Sequence, residues 1–139
     1  MTRVVPGDAV PKRILVVEDN DLNRKLFCDV LKANGFEVVP VADGQNVLPT
    51  AKKFLPHGVV LDIQLPNVSG LELITAFRKH QALRDIPILA VTAYAGKGDE
   101  EKIRAAGASD YLAKPVSITP FMNAVRGILS NSDAAADAE

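Results

Sequence analysis

Ile14-Leu15-Val16-Val17-Glu18-Asp19-Asn20 runs without a break from aliphatic residues into acidic and polar ones. β-Branched aliphatics favour extended backbone. A run that is apolar at every position, not every second one, suits a strand buried on both faces, as in a parallel sheet. Working outward, similar runs recur at Phe36–Val41, Val59–Ile63 and Ile86–Val91, with a weaker one at Tyr111–Ala113. Helical patterns fill the gaps. Leu26, Phe27, Val30 and Leu31 make an apolar stripe that Gly35 is placed to end. Leu71, Ile74 and Phe77 make another after Ser69-Gly70, and a short helix should stop at Gly107. The last helix should be capped by Thr119, with Pro120 at its first position, and run through Val125 and Leu129. The second helix belongs between Gly44 and Leu55, where Pro49 should kink or delay it. Strand–helix units with right-handed crossovers put helices on both sheet faces. The expected fold is therefore α/β, a doubly wound five-stranded parallel sheet of order 2-1-3-4-5. Its crevice should lie at the carboxyl ends of the first and third strands.

With 139 residues the chain suits one domain. The folded unit should span 12–130. A loose arm over 1–11 contains Pro6, Gly7 and Pro11, and the acidic tail over 131–139 has no large apolar residue to bury and should be disordered. An apolar content of 47% supplies a core. Sixteen basic against seventeen acidic residues leave a net charge of −1, so no bulk field favours nucleic acid or an anionic membrane. Cys28 is the only cysteine, which excludes an intrachain disulfide and suits a reducing cytoplasm. No apolar run approaches the roughly 18 residues of a membrane span. Only two histidines, His57 and His80, are present, a poor basis for a zinc centre. The expectation is a cytoplasmic monomer, with dimerisation left open, that engages neither nucleic acid nor membrane.

Glu18 and Asp19 follow the first strand directly and Asp62 ends the third, so the expected sheet order gathers three carboxylates in one crevice. Like charges so close raise one another's pKa values unless a cation intervenes. Hard oxygen donors without thiolate or imidazole select Mg²⁺ or a similar ion. Nucleotide binding fits poorly, since an acidic loop repels phosphate and no glycine-rich phosphate loop occurs. The fourth strand brings Thr92 and the fifth brings Lys114 to the same edge, with Pro115 able to form a cis bond that aims the lysine. Together these groups read as a phosphoryl-transfer site. Asp62 is the carboxylate nucleophile. Lys114 and the metal neutralise phosphoryl oxygens, and Thr92 with nearby amides donates hydrogen bonds.

At this point the chain resembles response-regulator receiver domains, the flavodoxin-like phosphoacceptor modules of two-component signalling, over about 13–129. The motifs that carry the likeness are Ile14-Leu-Val-Val-Glu18-Asp19-Asn20, Asp62-Ile-Gln-Leu-Pro66-Asn-Val-Ser-Gly70, Ala90-Val-Thr92-Ala and Tyr111-Leu-Ala-Lys114-Pro115. Within the family, Val17–Phe27 and Ala93–Glu101 are most similar to single-domain cell-cycle regulators. The resemblance implies that Asp62 takes a phosphoryl group from a histidine kinase or histidine phosphotransfer protein. It further implies that Asp19 and Asp62 hold Mg²⁺ by side chains, Gln64 by its backbone carbonyl and Glu18 through water. Thr92 would be the switch hydroxyl, Tyr111 the aromatic residue that turns inward with it, and Lys114 the partner of the phosphate or of unmodified Asp62. The side chains of Gln64 and Tyr94 occupy positions that tune phosphate lifetime in the family. Glu18 stands where aspartate is commoner.

Leu22 lies to one side of the first helix's apolar stripe, and with Asn23 it is a candidate contact for the kinase. No output domain follows the last helix, so the expected output is contact with a downstream protein whose identity the residues do not specify. The chain is thus expected to be a phosphoacceptor that promotes its own phosphorylation and autodephosphorylation, not an enzyme acting on other substrates. Two other readings compete. An aspartate-based phosphatase would need a second acid two residues beyond Asp62, where Gln64 cannot donate the proton. An interaction module with an idle site would be expected to have lost an acidic, threonine or lysine position, and none is lost.

Overall fold

β1 (Arg13–Val17) pairs in parallel with β2 (Glu37–Val41) on one side and with β3 (Gly58–Asp62), the middle strand of the sheet, on the other. β4 (Ile88–Thr92) and β5 (Asp110–Ala113) extend the sheet beyond β3, giving the order β2-β1-β3-β4-β5 that the sequence predicts. The computed structural model describes residues 11–93 and 96–137. The expected arm, apart from Pro11, lies outside the described residues, as do Tyr94 and the last two residues of the tail.

Alternation along β1 divides the core in two. Ile14 and Val16 face α1 (Asp21–Ala33) and α5 (Ile118–Asp137), packing with Phe27, Leu31, Phe121 and Val125. Phe27 and Phe121 stack with centroids 4.7 Å apart, a pairing worth ~0.5–1.5 kcal/mol beyond its buried area. Leu15 and Val17 face the opposite layer, where Val47 and Ala51 of α2 (Val47–Phe54) meet Leu73, Ile74 and Phe77 of α3 (Gly70–Lys79). α4 (Lys97–Ala106) completes that layer, with Ile103 buried and Gly107 following its last turn. Burial on both faces explains the uninterrupted apolar run in β1. Pro40 is tolerated because β2 is an edge strand, whose residues supply ladder donors on one side only.

Several helix details depart from the sequence reading. Leu26, expected on the apolar stripe of α1, is 39% exposed; Cys28 takes its place in the core beside Phe27. Asn20 caps α1 by accepting from the Asn23 N–H, and Gly35 at φ +89° follows the helix. Pro49 delays the second helix without kinking it. A 3-10 turn over Gly44–Asn46 comes first, and Pro49 then sits in the first turn of α2, where no intrahelical hydrogen bond is lost. α5 begins at Ile118, ahead of the Thr119 cap expected, with the Phe121 N–H bonded to the Ser117 carbonyl. Pro120 therefore falls within the first turn, where its missing N–H again costs nothing. The same helix continues to Asp137, beyond the boundary expected at 130. Ala134, Ala135 and Ala136 are strong helix formers and can extend a helix already nucleated by packing.

Candidate functional site

The register Val17↔Leu61 sets the next residues of the two central strands, Glu18 and Asp62, side by side at the carboxyl edge. Glu18 is wholly buried and Asp62 is 2% exposed, while Asp19 faces solvent. One carboxylate oxygen from each of the three lies within 4.8 Å of the others. Lys114, delivered by the loop after β5, places its Nζ 3.1 Å from Asp62 Oδ2 and 3.3 Å from Glu18 Oε1. Its backbone N–H donates to the Thr92 carbonyl at 2.8 Å, tying the lysine to the end of β4. The Lys114–Pro115 peptide is cis.

Two backbone amides attend the carboxylates: the Asn20 N–H donates to Glu18 Oε2 at 3.1 Å and the Gln64 N–H to Asp62 Oδ1 at 2.9 Å. Glu18 Oε1 has no hydrogen-bond partner and meets Lys114 only as an ion pair. Burial first, then the proximity of Asp62, pushes the Glu18 carboxyl up from 4.5 to about 7, against the pull of the Asn20 amide and Lys114. Burial acts to lower the Lys114 pKa, but its hydrogen bond to Asp62 and the charges of Asp62 and Glu18 outweigh that and raise it. A buried carboxylate oxygen without a donor, in a cluster of hard oxygens, suits a hard divalent cation. The residues present thus fit Mg²⁺.

Beside the carboxylates, the Thr92 side chain is 1% exposed at the end of β4, and its Oγ1 accepts a hydrogen bond from Gln64 Nε2 at 2.8 Å. Gln64 Oε1 in turn accepts from the Ala93 N–H at 2.8 Å. Tyr111, opposite Ala90 on β5, is half-buried and points its hydroxyl at α4, donating to Glu100 Oε1 at 2.9 Å. Arg104 lies 5.3 Å from the Tyr111 ring centroid, pairs with Glu100 at 3.1 Å and comes within 3.5 Å of Asp110. Leu22, 79% exposed, projects from the first turn of α1. Asn23 lines a cleft of about 330 Å³ with Phe27, Lys114, Pro115 and Val116.

The tertiary structure thus brings Glu18, Asp19, Asp62, Lys114, Thr92 and Gln64 together, with Tyr111 on the adjacent face. Three supporting contacts go beyond the sequence reading. Arg24 donates to the Glu18 and Asp19 carbonyls at 3.0 and 3.3 Å, holding the loop after β1. The Gln64 carboxamide, which the resemblance places only at a position that tunes phosphate lifetime, bridges to β4. Gly70, which precedes the apolar stripe of the third helix, is the first residue of α3. A Cβ there would lie 2.5 Å from Ile63 Cα, so the start of α3 can close against the loop after Asp62 only without a side chain. Glycine at a helix start is the one signal of such crowding the sequence offers.

Carboxylates, lysine and threonine thus meet at the carboxyl edge of a doubly wound parallel sheet, and the chain belongs to the response regulator receiver domain family, whose model matches residues 14–126. It is 42% identical over 123 residues to the polar-differentiation response regulator DivK of Brucella anthropi, covering 88% of this chain and 100% of that one. Among solved structures, a putative response regulator from Chloroflexus aurantiacus superposes with a TM-score of 0.83 at 33% identity, covering 87% of this chain and 99% of that one. The receiver domain of a Pseudomonas aeruginosa sensor histidine kinase, with a magnesium ion coordinated in its active-site cleft, gives 0.79 at 31% identity over 87% and 99% of the two chains. Among the described residues no helix is long and apolar enough to cross a membrane.

Proposed function

We propose that the protein is a single-domain phosphorylation switch in which Asp62 accepts a phosphoryl group from a phosphohistidine of a kinase or phosphotransfer protein. The observation that carries this reading is the burial of Asp62 beside Glu18, the two carboxylates sharing the Lys114 ammonium while Glu18 Oε1 lacks a hydrogen-bond donor. Such an arrangement is costly unless it serves chemistry. In the transfer, an Asp62 oxygen attacks phosphorus as the P–N bond breaks. The imidazole nitrogen leaves with the electron pair and later takes a proton, and Asp62 becomes an acyl phosphate. Lys114 would hold the attacking carboxylate and then pair with the transferred oxygens. Asp19, Asp62 and the Gln64 carbonyl would hold Mg²⁺ directly and Glu18 through water, the ion supplying charge neutralisation for the phosphoryl oxygens.

Thr92 and Tyr111 would carry the modification to the β4–β5–α4 face, where a downstream protein reads it. Leu22 and Asn23, beside the site on α1, would meet the phosphodonor. Similarity to polar-differentiation regulators along their whole length supports a role in cell-cycle or polarity control. The single-cysteine composition suits the cytoplasm as the place of action. Intact-protein mass after incubation with Mg²⁺ and a small phosphodonor tests the reading. Wild type should gain one phosphate or release inorganic phosphate steadily, and both should vanish with EDTA or in Asp62→Asn. An Asp62→Asn protein that still takes up phosphate would sink the assignment. Neither adduct nor release from wild type would favour an interaction module with an idle site.

A further inference from the structure

Gln64 touches both halves of the site at once. Its backbone N–H donates to Asp62 Oδ1 at 2.9 Å, while its side chain crosses to the end of β4. There Oε1 accepts from the Ala93 N–H and Nε2 donates to Thr92 Oγ1, each at 2.8 Å. The carboxamide's orientation is dictated, because a backbone N–H can only donate and so must face the oxygen. Thr92 is pinned separately through its own carbonyl by the Lys114 N–H. Gln64 thus engages the Thr92 side chain and the Ala93 amide, neutral polar groups next to the acceptor. A phosphoryl group on Asp62 brings oxygens that require donors, and the Ala93 N–H is already engaged by the Gln64 oxygen.

We propose that the Gln64 carboxamide is a resting-state latch, a positioning residue that occupies the Ala93 N–H and Thr92 Oγ1 and must be displaced before a phosphoryl group on Asp62 can recruit them. This rests on the phosphoacceptor reading above but concerns a different set of bonds. Displacing the latch sets a threshold: the switch stays off until the new oxygens offer better partners than the carboxamide. Its strength is that of one or two neutral hydrogen bonds.

Two measurements on wild type, Gln64→Met and Gln64→Ala test it. Methionine keeps the length of the side chain without donor or acceptor, and alanine guards against the thioether wedging in the same space. First, amide hydrogen exchange at Ala93 is followed by NMR without metal or anion. Both variants should exchange faster there, by about tenfold, with core strands unchanged. Second, the proteins are titrated with beryllofluoride, a tetrahedral phosphoryl mimic, in the presence of Mg²⁺. Both variants should bind it roughly threefold to tenfold more tightly than wild type. Unchanged Ala93 exchange in both variants would overturn the latch. Faster exchange with equal or weaker beryllofluoride binding would overturn the competition. Failure of all three proteins to bind beryllofluoride would instead overturn the phosphoacceptor reading and the competition built on it. The exchange arm then distinguishes that failure from a missing latch.

Discussion

Glu18 and Asp62 are almost entirely removed from solvent, whereas Glu100 and Arg104 on α4 leave 38% and 47% of their side chains exposed, although both pairs of residues sit in ion-pair clusters. The difference is dielectric. Around Glu18 and Asp62 the charges have lost water and depend on one lysine, so every partner gained or lost is felt strongly. Around Tyr111 the charges remain hydrated, and the cluster holds the ring without committing it. One region concentrates charge away from water, while the other holds a tyrosine with charges that water still screens.

The largest break in this comparison should come from Lys114→Ala. Removing the cation from between two buried carboxylates should cost about 3 kcal/mol in EDTA, the lower end of the range because the ammonium keeps some solvent. Added Mg²⁺ should restore much of the loss, as read by urea denaturation with and without the ion. Gly70→Ala should come next, at about 2 kcal/mol, since the new methyl group meets backbone and not a flexible side chain. Chemical shifts of Gln64 and Asp62 should move with it.

The third effect is a pH dependence confined to the buried region. Glu18 holds its proton up to about 7, and a metal must displace it. Mg²⁺ affinity, measured by titration calorimetry, should therefore weaken as pH falls below about 7, by at most about tenfold per unit. In the metal-free protein the sign for stability is the opposite. The unfolded chain releases this proton near 4.5 and the folded chain near 7, so the group's contribution is full below 4.5 and is lost as pH rises through 7. A flat Mg²⁺ affinity across that window would remove Glu18 from the metal site. Smallest should be Glu100→Ala, which should leave the denaturation midpoint almost unchanged. The hydrogen bond to Glu100 is the main cause that raises the Tyr111 pKa, so NMR titration of labelled tyrosine should show that hydroxyl titrating lower in the variant. A large stability loss would mean that the α4 cluster is not the light restraint its exposure implies.

Much of the site was legible because strand order converts chain position into spatial position. Once continuous apolar runs identify buried parallel strands, the residues just after Val17, within Asp62, at Thr92 and at Lys114 must share one edge. Residue type then names the chemistry. Less legible was whatever depends on which way a side chain crosses the edge. Gln64 could be placed two residues beyond Asp62, but nothing in its neighbours says that its carboxamide reaches to β4. Leu26 and Cys28 differ by two positions on one helix, and apolarity alone ranked them in the wrong order for burial. Pro49 was recognised as a disturbance, and only the preceding 3-10 turn decided that it delays the helix without bending it.

By itself, then, the sequence determined the sheet order, the crevice and the identity of the charged and hydroxyl groups that meet there, since period and residue type are local properties that topology merely assembles. Only the tertiary structure decided which of those groups lost their water, which hydrogen bonds engage the Thr92 hydroxyl and Ala93 amide at rest, and where a glycine was indispensable. Those outcomes depend on distances between segments far apart in the chain. A carboxylate such as Glu18 has no burial, and so no altered affinity for a proton or a metal, until β1, β3 and the loop after β5 close around it.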